Sequence, residues 1–291
     1  MWDRPLVQEL VGGQLHMQHG PIDLVLKAWG KERQVELAYR AAAARFEMVL
    51  GELVSELPVL RCPAIDLTAV STPVARRMVR ACIPFAGHFI TPMAAVAGAV
   101  ADELLAVMCE VADLDKAFVN DGGDVAVHLG AGQALDIGVM GDFSRSRVPI
   151  ASASLHLEAE QPVRGIATSG AQGRSFSLGI ADSVTVLASS AALADAAATL
   201  VANAVNLDHP RIVRRKAAEL DPDSDLGERL VTVLVPPLSQ QEIAQALEPG
   251  LRFAEELVRL GLIADAALSL QGQTMTLGVW PHLETGTRKW L

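Results

Sequence analysis

The sequence predicts an α+β fold, with mixed and antiparallel sheets against packed helices, on three observations. Helical periodicity and strand alternation occupy separate stretches and do not recur as regular βαβ units. The strand-rich stretch, residues 117–188, is punctuated by glycine and polar turns. The helical stretches are rich in alanine, and 51% of the residues are hydrophobic against 20% charged, ample for a buried core.

In chain order, residues 14–18 and 22–29 read as two strands joined by His19-Gly20-Pro21. A helix follows over about 32–57, with Val35, Leu37, Ala38, Ala41, Ala42, Phe46, Val49 and Leu50 as its apolar face. The loop 61–72 ends in Ser71-Thr72-Pro73, a cap followed by proline at the first helical position, and starts a helix to about residue 82. Thr91-Pro92 opens the next helix, 93–111, whose Ala94, Ala95, Ala97, Gly98, Ala99 and Ala101 let another backbone approach closely. Strand periodicity then marks 117–119, 124–129, 135–140, 150–158, 165–168, 175–180 and 183–188. After a helix at 189–205 come a polar loop at 221–228, a strand at 229–235, a helix at 240–262 and a strand pair around 268–279. The chain reads as a single unit over 1–291, with room for two intimately packed subdomains.

Twenty-four basic against 34 acidic residues leave a net charge of −10, which argues against a nucleic-acid partner, because phosphate-backbone affinity rests on clustered Lys and Arg. The basic spots at Arg76-Arg77 and 211–216 read as solvated helix surface or anion contacts. Cys62, Cys82 and Cys109 have no metal-type spacing, and an odd number cannot all pair, so reduced, mostly buried thiols are expected. The most apolar stretch, 83–108, is broken by His88, Thr91, Pro92, Asp102 and Glu103 before it reaches the roughly 20 clean residues that cross a bilayer. A core helix with its lead-in, and no membrane partner, is the expectation. Asp3, Arg4, Gln8 and Glu9 interrupt the first 15 residues, so no signal-peptide core is read there and a cytoplasmic location is predicted.

Three stretches carry candidate chemistry. In Asn120-Asp121-Gly122-Gly123-Asp124 a strand breaks at paired glycines, which bring backbone close to a ligand while Asn120 and Asp124 supply polar groups; the same string is also an ordinary hairpin turn. Ala167-Thr168-Ser169-Gly170 ends a strand with hydroxyls and amides that suit phosphate, or forms a common polar loop. Asp195 and Thr199 stand four apart in an alanine helix, one face offering a carboxylate and a hydroxyl to a hard cation. An aspartate buried there needs a partner, unless it faces solvent.

These stretches, in this order and spacing, resemble the ApbE family of flavin transferases, in which a small-residue helix start, an Asn-x-Gly-Gly-Asp turn, an Ala-Thr-Ser-Gly strand end and an Ala-Asp-x-x-x-Thr helix build the nucleotide and magnesium site. The motif-bearing part covers about residues 91–206. Across its whole length the chain resembles a prokaryotic family of uncharacterised ApbE-like proteins, through His19-Gly20-Pro21-Ile22-Asp23, residues 91–102 and residues 175–182. The resemblance implies an ApbE-like fold, Mg²⁺ held by Asp195, Thr199 and the main-chain carbonyl of Ala94, and FAD or a related nucleotide held by Asn120, Gly122, Gly123, Asp124, Thr168, Ser169 and Gly170.

The pattern departs from the transferases at two places. Ala97 stands where they carry a lysine, and residues 171–182 lack the histidine that resembles their base. Arg174 as a phosphate partner and Asp182 as a base are the candidate replacements, each equally readable as a surface residue on a turn.

Three readings of function follow: binding of a flavin nucleotide or related diphosphate with Mg²⁺, with cleavage or transfer of part of it; a binding module without catalysis; or an enzyme acting on another small cofactor precursor. His16 and His19, three apart in a strand, point to opposite faces and share no metal; His19 reads as a structural cap or a substrate contact, and roles for His88 and His128 stay open. The loop 221–228 starts like a calcium loop, but Leu226 and Thr232 replace its required glycine and glutamate. Exposed apolar helix faces are compatible with a homodimer.

Overall fold

Leu15, Met17, His19, Ile22, Leu24, Leu26 and Ala28 are buried at every second position, and this period of two turns one side of the first strands toward a helical layer. The computed structural model describes residues 4–63, 66–140, 151–173 and 175–278. The chain runs β1 (Leu6–Leu10), β2 (Gln14–His19), β3 (Ile22–Trp29), α1 (Glu32–Leu60), α2 (Pro73–Cys82), α3 (Val96–Val111), β4 (Lys116–Asp121), β5 (Asp124–Leu129), β6 (Ala134–Met140), β7 (Ala151–Glu158), β8 (Gly165–Ser169) and β9 (Ser183–Ala188). It continues with α4 (Ala191–Ala204), β10 (Val213–Lys216), α5 (Ala217–Leu220), β11 (Leu230–Leu234), α6 (Gln240–Arg259), β12 (Asp265–Leu270) and β13 (Gln273–Thr276).

One nine-stranded antiparallel sheet has the order β1-β2-β3-β4-β5-β8-β9-β12-β13, while β6–β7 and β10–β11 form separate ribbons. Helices α1, α3, α4 and α6 cover one face. There Met17, Leu24, Val119, Ala126, Ala167, Val184 and Leu268 share the core with Phe46, Leu104, Met108 and Leu200. On the opposite face Val125, Val127, Ile166 and Leu187 meet Leu135, Leu155 and Leu157 of the β6–β7 ribbon. Strand β9 is therefore buried on both sides, and its polar residues, Ser183 and Thr185, are small hydroxyl side chains buried with the rest. The helical layer is also tied by charge. Glu103 accepts from Arg45 of α1 and Arg77 of α2, each at 2.9 Å, and Arg45 grips both oxygens of Glu52 at 2.9 and 2.7 Å. Burial alone would raise the Glu103 carboxyl, but the two guanidiniums overcome it and hold the group below its usual range.

The expected architecture holds, and its departures have local causes. Residues 175–180 do not form the expected strand. They wrap over the end of α4, where Leu178 N–H donates to Asn203 Oδ1 (2.9 Å) and Ile180 N–H to the Val205 carbonyl (2.8 Å), and where a Cβ on Gly179 would lie 2.0 Å from the Ala202 carbonyl oxygen. The basic stretch 211–216 contributes strand β10, not a helix surface. Helix α3 begins later than expected, after a 3₁₀ turn over Pro92–Ala95, and the Thr91 hydroxyl donates to Asp225 instead of capping its own helix. The Thr72 hydroxyl likewise donates to Glu56 (2.6 Å). Strand β1, unread in the sequence, is exposed along nearly its whole length and offers no alternating pattern. Of the three free cysteines only Cys82 is fully buried, and Cys62 is exposed. Among the described residues no helix is long and apolar enough to cross a membrane.

Close packing also surrounds the start of α4. A Cβ on Gly98 would sit 2.3 Å from the Ala191 carbonyl oxygen, and one on Gly165 would sit 2.0 Å from the Ser190 carbonyl carbon. Gly98→Ala is therefore expected to destabilise the protein by about 1–3 kcal/mol in urea denaturation, the usual cost of overpacking. Gly51→Ala, whose Cβ would meet open space within α1, is expected to stabilise it by roughly 0.5–1 kcal/mol. Equal effects of the two substitutions would contradict the packing described.

Candidate functional site

The site begins with an exchange of caps between two helices. A helix leaves its first amides without intrahelical acceptors. Here Asp102 of α3 accepts from the first amides of α4, Ala191 N–H at 3.0 Å and Ala192 N–H at 2.9 Å. Asp195 of α4 accepts in turn from the start of α3, Gly98 N–H at 3.1 Å together with Ala97 N–H. An uninterrupted helix would direct Gly98 N–H at the Ala94 carbonyl four residues back. Its donation to Asp195 relieves that carbonyl of its ordinary partner, in the partly exposed turn before α3.

The sheet brings a second carboxylate to Asp195. Asp121 and Asp124 are directly paired across the β4–β5 turn, both buried on the helix side with Val119 and Ala126. Gly122 (φ +64°) and Gly123 (φ +117°) make the two-residue turn between them, a conformation that glycine adopts without strain. Asp124 lies within hydrogen-bonding reach of Asp195 and accepts Thr168 N–H at 3.2 Å. Burial pushes the Asp124 carboxyl up to about 7; the Thr168 amide opposes this and the charge of Asp121 adds to it. Asp195 is raised well above the carboxylate range by burial first, then by Asp124 and Asp121, against the pull of the Gly98 and Ala97 amides. Asp195 as a residue is partly exposed, although protein surrounds its carboxylate. Cys82 lies near enough to feel it: burial, then the charge of Asp195, pushes the thiol up to about 12.

The other expected site residues fall on both sides of the sheet. Asn120 alternates with Asp121 onto the outer face, and its Oδ1 accepts Gly123 N–H at 2.9 Å, closing the turn. Thr168 shares the face of Ile166; its hydroxyl meets Thr185 Oγ1 at 2.9 Å, so its main-chain amide is the part that reaches Asp124. Ser169, next along β8, returns to the helix side. Gly170 packs against the Asp182 main chain, where a Cβ would lie 2.3 Å from the carbonyl oxygen. Asp182 accepts from Gln172 Nε2 (2.9 Å) and from Gln271 N–H (2.5 Å), tying the loop after β8 to the β12–β13 turn. Thr199 is partly exposed one helical turn beyond Asp195. Arg174 lies outside the described residues. His88 packs its ring 4.9 Å from that of Phe253, and His128 bonds the Leu114 carbonyl at 3.2 Å.

Two participants were missed from sequence. Asp121 looked like a turn residue, and only its pairing with Asp124 puts its charge in the site. Asp102 looked like an interruption of an apolar run; a carboxylate inside a small-residue helix was the available signal.

The acid pair suits a hard divalent cation. Two carboxylates within hydrogen-bonding reach, with no Lys or Arg bonded to either among the described residues, must share a proton or a positive ion. No three His, Cys, Asp or Glu side chains converge as a ligand set among the described residues, so further ligands would be neutral oxygens, for which the Ala94 carbonyl and the Thr199 hydroxyl are placed on adjoining turns.

Raised carboxyl pKa values have a definite sign. The folded state keeps protons that the unfolded chain releases near pH 4, so metal-free stability falls as pH rises above about 4 and goes on falling through the folded value of Asp124, about 7. Asp195→Asn removes the repulsion and is expected to raise metal-free stability at alkaline pH by at least about 1 kcal/mol, with a flatter profile. Thermal denaturation in EDTA across this range checks it, and a variant less stable at every pH would contradict the assignment.

The chain matches the family model described as AbpE bacteria over residues 7–276. It is 34% identical to a UPF0280 protein of Methanopyrus kandleri over 215 residues, 72% of this chain and 83% of that protein. To a UPF0280 protein of Methanothrix thermoacetophila it is 37% identical over 137 residues, 47% of this chain and 54% of the relative, about half its length. Among solved structures, the ApbE protein of Thermotoga maritima has 15% identity, with 94% of this chain and 96% of that one covered and a TM-score of 0.39. The apo form of the flavinyl transferase ApbE from Pseudomonas stutzeri has 13% identity, coverages of 94% and 95% and a TM-score of 0.42. At these identities and scores the two structures bear on neither ligand nor reaction.

Proposed function

We infer the function from one premise: the chain belongs to the ApbE-like family described as AbpE bacteria. We propose that it binds a flavin nucleotide, FAD or a related diphosphate, together with Mg²⁺, at the contact of α3, α4 and the β4–β5 turn. The observation that carries this reading is the largely enclosed Asp124–Asp195 pair beside the Gly98 amide. The pair supplies negative charge that a divalent cation would offset, and the cation would in turn neutralise a diphosphate that this acidic protein repels. Mg²⁺, when bound, acts as a Lewis acid on phosphoryl oxygens. Asp195 is oriented by two main-chain amides and Asp124 by a third, so both carboxylates are held in place before ligand arrives. The Ala94 carbonyl and Thr199 would complete the cation's oxygen ligands. Ser169 and the Gly122-Gly123 turn, where added Cβ atoms would meet nothing, would leave room for the nucleotide.

Whether binding leads to cleavage or transfer depends on a base. The transferase-like lysine position holds Ala97, residues 171–182 contain no histidine, and Asp182 is engaged by Gln172 and Gln271. These observations favour a binding module without turnover as the second reading.

Calorimetric titration with FAD, with Mg²⁺ and then with EDTA, followed by chromatography for FMN and AMP, separates the readings. The expected result is Mg²⁺-dependent binding that Asp195→Asn weakens at least tenfold, consistent with loss of a charge-assisted contact. Release of FMN and AMP would establish turnover, and binding without products would establish the module. Failure to bind FAD with or without Mg²⁺ would overturn the proposal.

A further inference from the structure

We infer that His19 is a second contact for the ligand of the Asp124–Asp195 site, hydrogen-bonding the part of that ligand that lies away from the cation. The inference rests on the nucleotide-binding reading above. His19 is 8% exposed, and its Nδ1 is buried without a hydrogen-bond partner. Buried polar atoms in native proteins nearly always have partners, so an orphan calls for a reason. The other described histidines have their own contacts: His16 bonds Asp23, His128 the Leu114 carbonyl, His156 Asp136 and His209 Glu242, while His88 packs on Phe253. The ring of His19 packs edge-on to Phe46 with centroids 6.0 Å apart. A phenylalanine would make that contact without an orphaned nitrogen, so packing alone does not account for an imidazole. Capping of the Gly20-Pro21 turn does not account for it either, because the ring makes no hydrogen bond among the described residues.

Sheet register shows where the residue lies. His19 pairs with Ile22, Met17 with Leu24, Leu24 with Asp121 and Asp121 with Asp124. His19, Asp121 and Asp124 therefore stand on the helix side at one end of the sheet, where the β2–β3 and β4–β5 turns lie side by side. Three strand spacings across and two residues along separate the His19 and Asp124 main chains by about 16 Å. That is within the length of an extended dinucleotide-like molecule and too far for a shared metal. A ligand anchored by phosphate at the acid pair and lying along this sheet end would bring a ring nitrogen or a hydroxyl to the orphaned Nδ1.

The test compares wild type, His19→Phe, His19→Asn and Asp195→Asn by calorimetric titration with FAD and Mg²⁺ and by thermal denaturation without ligand. His19→Phe is expected to melt at or above the wild-type temperature, because the orphan is gone, yet to bind FAD about tenfold more weakly, the worth of one hydrogen bond. His19→Asn, whose amide reaches the place of Nδ1, is expected to recover part of that affinity. Wild-type affinity in His19→Phe, with binding lost in Asp195→Asn, would overturn this inference and leave the site reading standing. A His19→Phe protein that melts well below wild type would assign the imidazole to the fold and overturn it as well. A wild type that binds no FAD would overturn both.

Discussion

The structure depends on the mutual capping of α3 and α4. Each helix begins with amides that need acceptors, and each supplies a carboxylate to the start of the other: Asp102 to Ala191 and Ala192, Asp195 to Gly98 and Ala97. The exchange requires backbones in near contact, which only Gly98 and the surrounding alanines permit. It also takes both carboxylates partly out of water, and helix amides and the positive end of each helix replace the lost hydration. Asp102 shows the balance: burial raises its pKa, while the Ala192 and Ala191 amides and the charge of Arg77 pull it back.

The same geometry makes α3 and α4 one platform over the centre of the sheet. Gly165 admits the Ser190 main chain, so the start of α4 is held between β8 and α3. A shift of α4 would break caps in both helices and a close strand contact together. The Arg45–Glu103–Arg77 group secures the other end of the arrangement by tying α1 and α2 to the residue that follows Asp102. Rigidity of this kind suits a site whose central groups are like charges, since Asp124 and Asp195 are kept together only by the elements that carry them.

Charge concentration sets the site apart from the rest of an acidic surface. Most acidic side chains here meet water or an arginine, as Glu36, Glu248 and Glu256 do. Asp124 is buried and Asp195 partly exposed, with only main-chain donors among the described residues, and Asp121 adds its field from the paired strand position. Such a cluster holds protons at neutral pH or recruits a cation.

Much of this molecule was legible in its sequence because the relevant signals are local. Period-two alternation placed β2 and β3, short strand-like runs between turns placed β5 and β9, alanine content and proline starts placed the helices, and Asp195 in an apolar helix announced a group in need of a partner. Elements without a local signal were missed: β1 is exposed along nearly its whole length, and 175–180 has strand composition but spends its amides on the end of α4. What tertiary structure alone decided is which polar groups meet. Asn120 and Asp124 belong to one motif, yet strand alternation sends the first to the outer face and the second to Asp195. Thr168 keeps its hydroxyl for Thr185 and lends only its amide. Asp121 and Asp102 acquire their roles, and His19 its unpartnered nitrogen, from strand register and helix crossing, because the field at a buried carboxylate is set by neighbours distant in the chain.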